Sequence, residues 1–228
     1  MALLKIDNLL KTFDSPDGGR QTVIDVECFS LEPAEQLALA GGSGSGKTTL
    51  LHLIAGILAP DRGRIELDGH DLGAMSESQR DHLRGRIVGY VFQTFNLLQG
   101  YTALQNVELG MMFGSRVDKA WAQHLLERVG LKDRMNYKPR QLSVGQQQRV
   151  AVARALANHP KLVLADEPTG NLDSVRAAES LQLIRTICSE NQAALLLVSH
   201  DPAILSQFPR IQQLSRLNRA AAPIGGRS

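Results

Sequence analysis

A chain of 228 residues, 43% hydrophobic, can bury a sizeable core as one large domain or two lobes of one domain. Its 25 Lys and Arg against 23 Asp and Glu leave a net charge of +2, too small a surplus for a general nucleic-acid binder. Cys28 and Cys188 lie far apart without ligand-like spacing, which excludes a disulfide framework or a zinc site and predicts two reduced packing cysteines.

The chain begins MALLKIDNLLKTF, whose apolar runs are broken by Lys and Asp, unlike a signal peptide. No stretch approaches the roughly 18 apolar residues of a membrane span, so any membrane role has to come through a partner.

Strands are predicted over Leu3–Asn8, Gln21–Leu31 and Gln36–Ala40, with SPDGG (Ser15–Gly19) as a turn. Helical spacing follows over Lys47–Leu58, then a strand at Arg64–Leu67 and a buried one in IVGYVF, Ile87–Phe92. The middle predicts helices over Leu104–Phe113 and Asp118–Val129, the second stopped by Gly130, and a third over Gln146–Ala157. Strand and helix then alternate: 161–166, Ser174–Glu190 and 194–199. Unbroken apolar strands between helices imply a parallel sheet covered on both faces. FPRIQQLSRLNR predicts a short helix and a last strand, and the tail, with Arg216, Arg219 and Arg227 but no acid, a solvated segment or a contact for anionic headgroups.

Gly41, Gly42, Ser43, Gly44, Ser45, Gly46, Lys47 and Thr48 spell G-x-x-x-x-G-K-[ST], after a strand-like LALA and before a helix. Glycines let the backbone curl until successive N–H groups converge on a phosphate. Lys47 supplies a point charge, Thr48 a hard oxygen for Mg²⁺, and Ser43 and Thr49 further donors. The apolar run LVLADE carries Asp166 and Glu167 to a strand end, where open α/β sheets place ligands. Asp166 suits the metal shell. Glu167 suits polarising a water, and alternation along the strand sends the two carboxylates to opposite sides.

Gln93, after IVGYVF, fits the metal or the lytic water, and His200, after ALLLVS, fits the terminal phosphate. Phe13 is placed to stack on a base. Taken singly, these three read as a surface glutamine, a structural histidine and a core aromatic; only their membership in the set changes the reading. Trp121, on an amphipathic segment, reads as core. A second anion seat stands at LSVGQ: Ser143, Val144, Gly145 and Gln146 open a helix whose N–H groups and dipole attract negative charge.

The order GGSGSGKT, Gln93, LSVGQ, LVLADE, NLD (171–173) and His200 resembles the nucleotide-binding subunit of an ATP-binding cassette transporter, and the motifs cover the chain from Phe13 to His200. The resemblance implies an α/β P-loop NTPase: a RecA-like mixed sheet flanked by helices, an N-terminal antiparallel β subdomain and a helical subdomain over roughly 94–158. It implies one ATPase domain over 1–217, a tail from 218 to 228, ATP and Mg²⁺ as cofactors, and two copies facing head to tail. The serine-led seat of one copy then seals the phosphate held by the glycine loop of the other, with Asp173 at the interface. FQTFNLL, TALQNV and DEPTGNLDS resemble the lipoprotein-releasing and macrolide-export branch, and also a cell-division ATPase. That branch implies a membrane permease docking near Phe95, Asn96 and Leu97, a peripheral location on the cytoplasmic face of the inner membrane, and no nucleic-acid partner. DNA-repair ATPases carry a long coiled-coil insertion that this chain lacks.

One position departs from the pattern: Val144 stands where the family usually has Gly, and a β-branched residue resists positive φ. If position 144 keeps negative φ, Val144→Gly leaves turnover nearly unchanged; a gain of about a hundredfold in a steady-state ATPase assay, the size of one restored anion donor, marks the wild-type seat as defective.

Overall fold

The computed structural model describes residues 1–15, 18–114 and 116–221. The strands are β1 (Leu4–Asp14), β2 (Arg20–Leu31), β3 (Gln36–Ala40), β4 (Arg62–Leu67), β5 (His70–Asp71), β6 (Val88–Val91), β7 (Leu162–Asp166), β8 (Ala194–Ser199) and β9 (Arg210–Gln213). The helices are α1 (Lys47–Ile54), α2 (Glu77–Ile87), α3 (Ala103–Met111), α4 (Lys119–Arg128), α5 (Val144–Ala155), α6 (Ser174–Glu190), α7 (Pro202–Leu205) and α8 (Leu214–Leu217).

Two sheets keep the two kinds of pairing apart. An antiparallel sheet runs β2-β1-β4-β5, and a five-stranded one runs β6-β7-β8-β3-β9 with every pairing parallel. The central strands β7 and β8 are buried at every position and apolar up to their last residues, Asp166 and Ser199, because both faces are covered. Val163, Ala165, Leu195 and Leu197 face a core shared with α3 to α6. Leu162, Leu164, Leu196 and Val198 face a second core shared with α1 and the antiparallel sheet.

The helical part closes down on the sheet at glycines. A Cβ on Gly89 of β6 would lie 2.2 Å from the Ala155 carbonyl, so no other residue permits that approach. Beside it, the Asn158 amide donates to the carbonyls of Gly85 and Gly110, each at 2.7 Å, and so joins α2 to α3.

Several boundaries differ from the sequence expectation. α2 has no counterpart in the sequence expectation, because only Leu83 and Ile87 of its residues are buried, too few to make an apolar stripe. Its legible signal was the Ser76–Gln79 capping box. Ile87 therefore ends a helix and does not begin β6. α1 stops at Ile54, and Gly56 takes φ 67° after it. β1 runs on to Asp14 through a register shift at Lys11/Thr12, where Asp61 accepts from the Thr12 backbone and hydroxyl, each at 2.7 Å. At the C-terminal end the strand β9 precedes the helix α8, not the reverse. Pro16 and Asp17 of the expected turn lie outside the described residues.

Of the two cysteines only Cys188 packs in the core, where burial pushes its thiol up to about 12; Cys28 is exposed on β2. Trp121 is half-buried and stacks on His159 at 4.3 Å, with its indole N–H unpartnered among the described residues.

Position 218, where the tail is expected to start, is part of the fold. Asn218 is fully buried, donating to the carbonyls of Val23 (2.8 Å) and Ser45 (3.3 Å) and accepting from the Asp25 N–H (2.7 Å). Residues 222–228 lie outside the described residues. Asn218 thus ties the chain's end to β2 and to the glycine loop. Asn218→Ala leaves these buried groups unpaired, a cost of about 1–3 kcal/mol, and calorimetry should show Tm lower by roughly 3–8 °C.

Candidate active site

At the C-terminal end of β3 the chain turns through Gly41–Gly46 into α1. Gly44 and Gly46 take φ of 75° and 91°, and a Cβ on Gly46 would lie 2.9 Å from Ile24 Cδ1, so glycine is required there. α1 has no side-chain cap and no acid in its first turn, whereas α2 to α6 each start on a Ser, Thr or Asp that caps them. The first N–H groups of α1 are therefore left to an external anion. Lys47 Nζ lies across the loop, donating to the carbonyls of Gly41 (2.6 Å) and Gly42 (3.1 Å) and standing 3.0 Å from Glu167 Oε1.

Sheet order brings the acids to this loop, since β8 lies between β3 and β7. Asp166 ends β7 and accepts from Thr48 Oγ1 at 2.7 Å. Glu167 does not continue the strand: it takes φ 44°, its N–H donating to the Val198 carbonyl at 3.1 Å. The expectation of two carboxylates on opposite sides fails for this reason. The left-handed kink, unfavourable for a non-glycine residue by about 1–3 kcal/mol, turns both acids into one cavity.

The Glu167 carboxylate is held at both oxygens. Oε1 meets Lys47 Nζ and, at 2.7 Å, His200 Nδ1; Oε2 accepts from Ser199 Oγ at 3.1 Å. Burial pushes this carboxyl up, but the bonds and charges of His200 and Lys47 together outweigh it and hold the group below its ordinary value. Asp166 moves the other way: burial raises it, the Thr48 bond opposes, and the Glu167 charge adds to the rise. The two adjacent acids are thereby shifted in opposite directions from their ordinary values.

The cavity, about 410 Å³, is lined by residues 42–49, Val23, Gln93, Asp166, Glu167 and His200. The predicted Gly42, Ser43, Gly44, Ser45, Gly46, Lys47, Thr48 and Thr49 all line it, and Ser45 Oγ donates to the Gly42 carbonyl at 2.8 Å. Gly41 does not line it; its carbonyl accepts from Lys47 Nζ. Gln93 reaches the cavity, and its backbone carbonyl accepts from Asn171 Nδ2 at 2.8 Å. Phe13 does not line it; the ring is 40% exposed, with Lys11 Nζ 5.5 Å from its centroid. Sequence reasoning missed Ser199, whose signal was its place at the end of the strand between the two loops, and Val23 and Asn218, which come from distant segments.

Thr48 Oγ1 and Asp166 Oδ2 form a pair of hard oxygens facing the glycine loop, a donor set that fits Mg²⁺ completing its octahedron with phosphate and water. Among the described residues no group of three or more His, Cys, Asp and Glu holds a metal unaided.

The serine-led seat is elsewhere. Ser143, Gly145 and Gln146 line a separate cavity of about 240 Å³ with Arg149 and Arg176, and no residue lines both cavities. Ser143 caps α5, its Oγ accepting from the Gln146 N–H (3.3 Å) while Gln146 Oε1 accepts from the Ser143 N–H (3.0 Å). Val144 is the first helical residue, 47% exposed and free of positive φ. Among the described residues the N–H groups of Val144 and Gly145 have no partner in the chain. Asp173 caps α6 by accepting from the Arg176 N–H at 3.0 Å.

Residues 25–170 match the family described as ABC transporter. The lipoprotein-releasing system ATP-binding protein LolD of Pseudomonas syringae pv. tomato is 42% identical over 93% of this chain and 95% of its own length. The protein of the same name from Shewanella oneidensis is 41% identical over 91% of each chain. Among solved structures, a dimeric post-hydrolysis state of the ATP-binding cassette MJ0796 bound to ADP and Pi superposes with a TM-score of 0.84 at 33% identity, covering 95% of each chain. A second dimeric structure of MJ0796, a bacterial ABC transporter cassette, gives 0.83 at 34% identity over 92% of this chain and 93% of that one. With a glycine loop, two acids and a histidine in one cavity, and a capped serine seat in another, the chain belongs to the ABC transporter family as one of its ATP-hydrolysing cassettes.

Proposed function

We propose that this cassette drives a lipoprotein-releasing type of exporter, working as a head-to-tail pair on the cytoplasmic face of the inner membrane. The observation that carries the paired arrangement is the separation of its two anion seats within one chain: the uncapped start of α1 and the serine-led start of α5 open into different cavities. A terminal phosphate held by the first is completed only by the second seat of another copy. The relatives' name, lipoprotein-releasing system ATP-binding protein, supports the cargo class.

In this reading the backbone N–H groups of residues 43–48 and Lys47 bind the phosphates, Thr48 and Asp166 hold Mg²⁺, with Gln93 beside them, and Phe13 lies against the base. Bound Mg²⁺ supplies charge neutralisation at the phosphate oxygens. Glu167 orients and polarises the lytic water, and His200 contacts the terminal phosphate while holding Glu167 in place. Ser143, Val144, Gly145 and Gln146 act on the partner's nucleotide, and Asp173 lies at the interface. The phosphate draws Lys47 away from Glu167, which releases the carboxylate for its role.

The permease docks beside Phe95, Asn96 and Leu97, and the contact surface is the adjoining groove of about 400 Å³ between α2, α3 and β6. Leu97 itself is buried and belongs to the core, whereas Ile57 and Phe113 in the groove are 45% and 68% exposed. Arg154, in the same groove, donates to the carbonyls of Phe95 and Asn96 at 2.7 Å each and fixes the loop as its rim. The chain has no helix among the described residues long and apolar enough to cross a membrane, consistent with a peripheral subunit.

Glu167→Gln should lose turnover by about a thousandfold or more, bind ATP normally and sediment as a dimer with ATP, whereas a monomer at high protein and nucleotide contradicts the pairing. Phe113→Glu should cut co-purification with the membrane subunit by roughly tenfold or more and leave the soluble ATPase unchanged. Acidification gives a third check. A carboxyl held below its ordinary value contributes full stability above 4.5, the ordinary glutamate value, and loses it as pH falls through the folded-state value. The Tm advantage of wild type over Glu167→Gln should therefore hold from neutral pH down to the ordinary glutamate value of 4.5 and shrink as pH falls below it; a constant gap contradicts the assignment.

A further inference from the structure

Gln148 lies on the inward face of α5 and is wholly buried, with Ala151 and Val152, three and four residues on along the same face, buried as well. Its Nε2 donates to the Pro168 carbonyl at 2.5 Å, and its Oε1 accepts from Ser180 Oγ at 2.6 Å. Pro168 directly follows Glu167. Ser180 lies about two turns into α6, the helix that Asp173 caps. One side chain thus joins three pieces: the helix headed by Ser143, the loop that carries the catalytic carboxylate, and the helix after the NLD stretch.

Stability does not require this arrangement. A buried amide is unfavourable unless fully bonded, and replacing a bonded set by apolar groups of like shape is often close to neutral. The two bonds add direction instead. The loop they grip is short and already tight: Gly170 donates to the Glu167 carbonyl at 3.1 Å and Leu172 to the Thr169 carbonyl at 3.0 Å. Glu167 itself sits in the left-handed region at φ 44°. A shift of α5 is therefore passed to the backbone one residue from the carboxylate.

We infer that Gln148 is a positioning residue that couples the two hydrolysis sites of the pair. This rests on the head-to-tail reading, in which one chain offers Ser143 to its partner's nucleotide and Glu167 to its own. Engagement of the Ser143 helix at one site moves Pro168 through Gln148 and sets the Glu167 carboxylate at the other. The sites then close in concert.

The test measures ATPase rate against ATP concentration, binding of trinitrophenyl-ATP and thermal unfolding on the purified full-length chain. Wild type should show a Hill coefficient above one and up to the number of sites. Gln148→Leu should leave the nucleotide Kd within about twofold, lower kcat per folded molecule by roughly tenfold to a hundredfold, and bring the Hill coefficient to about one. Ser180→Ala should act in the same direction, and Ser180→Thr, which keeps the hydroxyl, should restore both values. Unchanged kcat and cooperativity in Gln148→Leu, or a rate loss matched by the loss of folded protein, overturns the inference; so does a wild-type Hill coefficient of one. If Gln148→Leu does not fold, the Ser180 pair decides by the same criteria. Ser143→Ala separates the two levels. Full turnover in Ser143→Ala removes the composite site itself, whereas an inactive Ser143→Ala beside a fully active, cooperative Gln148→Leu removes only the coupling.

Discussion

The site depends on three parallel strands ending side by side. β3 delivers the glycine loop, β7 the two carboxylates, and β8, between them, Ser199 and His200. Parallel pairing puts all three C-terminal ends on one edge of the sheet, and burial on both faces fixes their register. A one-residue slip of β8 would exchange its core residues between the two faces and carry Ser199 away from Glu167.

Around that edge the charges are arranged in opposition. Lys47 and His200 hold Glu167 ionised, while burial lifts Asp166 and leaves Thr48 as its close partner. Lys47 is bound to loop carbonyls and to Glu167 in the cavity proposed to take the nucleotide. On the proposed function, a phosphate entering there competes for a cation already in use, so phosphate binding and the release of Glu167 become one electrostatic exchange. At α5, likewise, Ser143 caps its own helix and leaves the N–H groups of Val144 and Gly145 without a partner among the described residues.

Much of this was legible in the residues. The glycine loop, the acid pair, the parallel sheet and the serine-led start of a helix follow from spacing and period, because each is a local pattern with a local cause; that Ser143 caps this helix, which begins at Val144 and not at Gln146, does not. What was not legible depends on tertiary contact. α2 lacks an apolar stripe, since only Leu83 and Ile87 pack. The Glu167 kink answers to a hydrogen bond with Val198, thirty-odd residues on, which no strand period encodes. Asn218 reads as the start of a tail in sequence, and only the fold brings it under the loop at Ser45. Val144 departs from a glycine pattern, and of the two alternatives, negative φ or a strained turn, the fold takes the expected first, because the residue opens a helix.

The central claim is that one terminal phosphoryl group is held by two chains. The most direct measurement is a crystal structure of Glu167→Gln grown with ATP and Mg²⁺. The account predicts that the terminal phosphoryl oxygens lie within hydrogen-bonding distance of Lys47 from one copy and of Ser143 Oγ and the Gly145 N–H from the other. A phosphoryl group wrapped by a single copy, with Ser143 facing solvent in both, would contradict it.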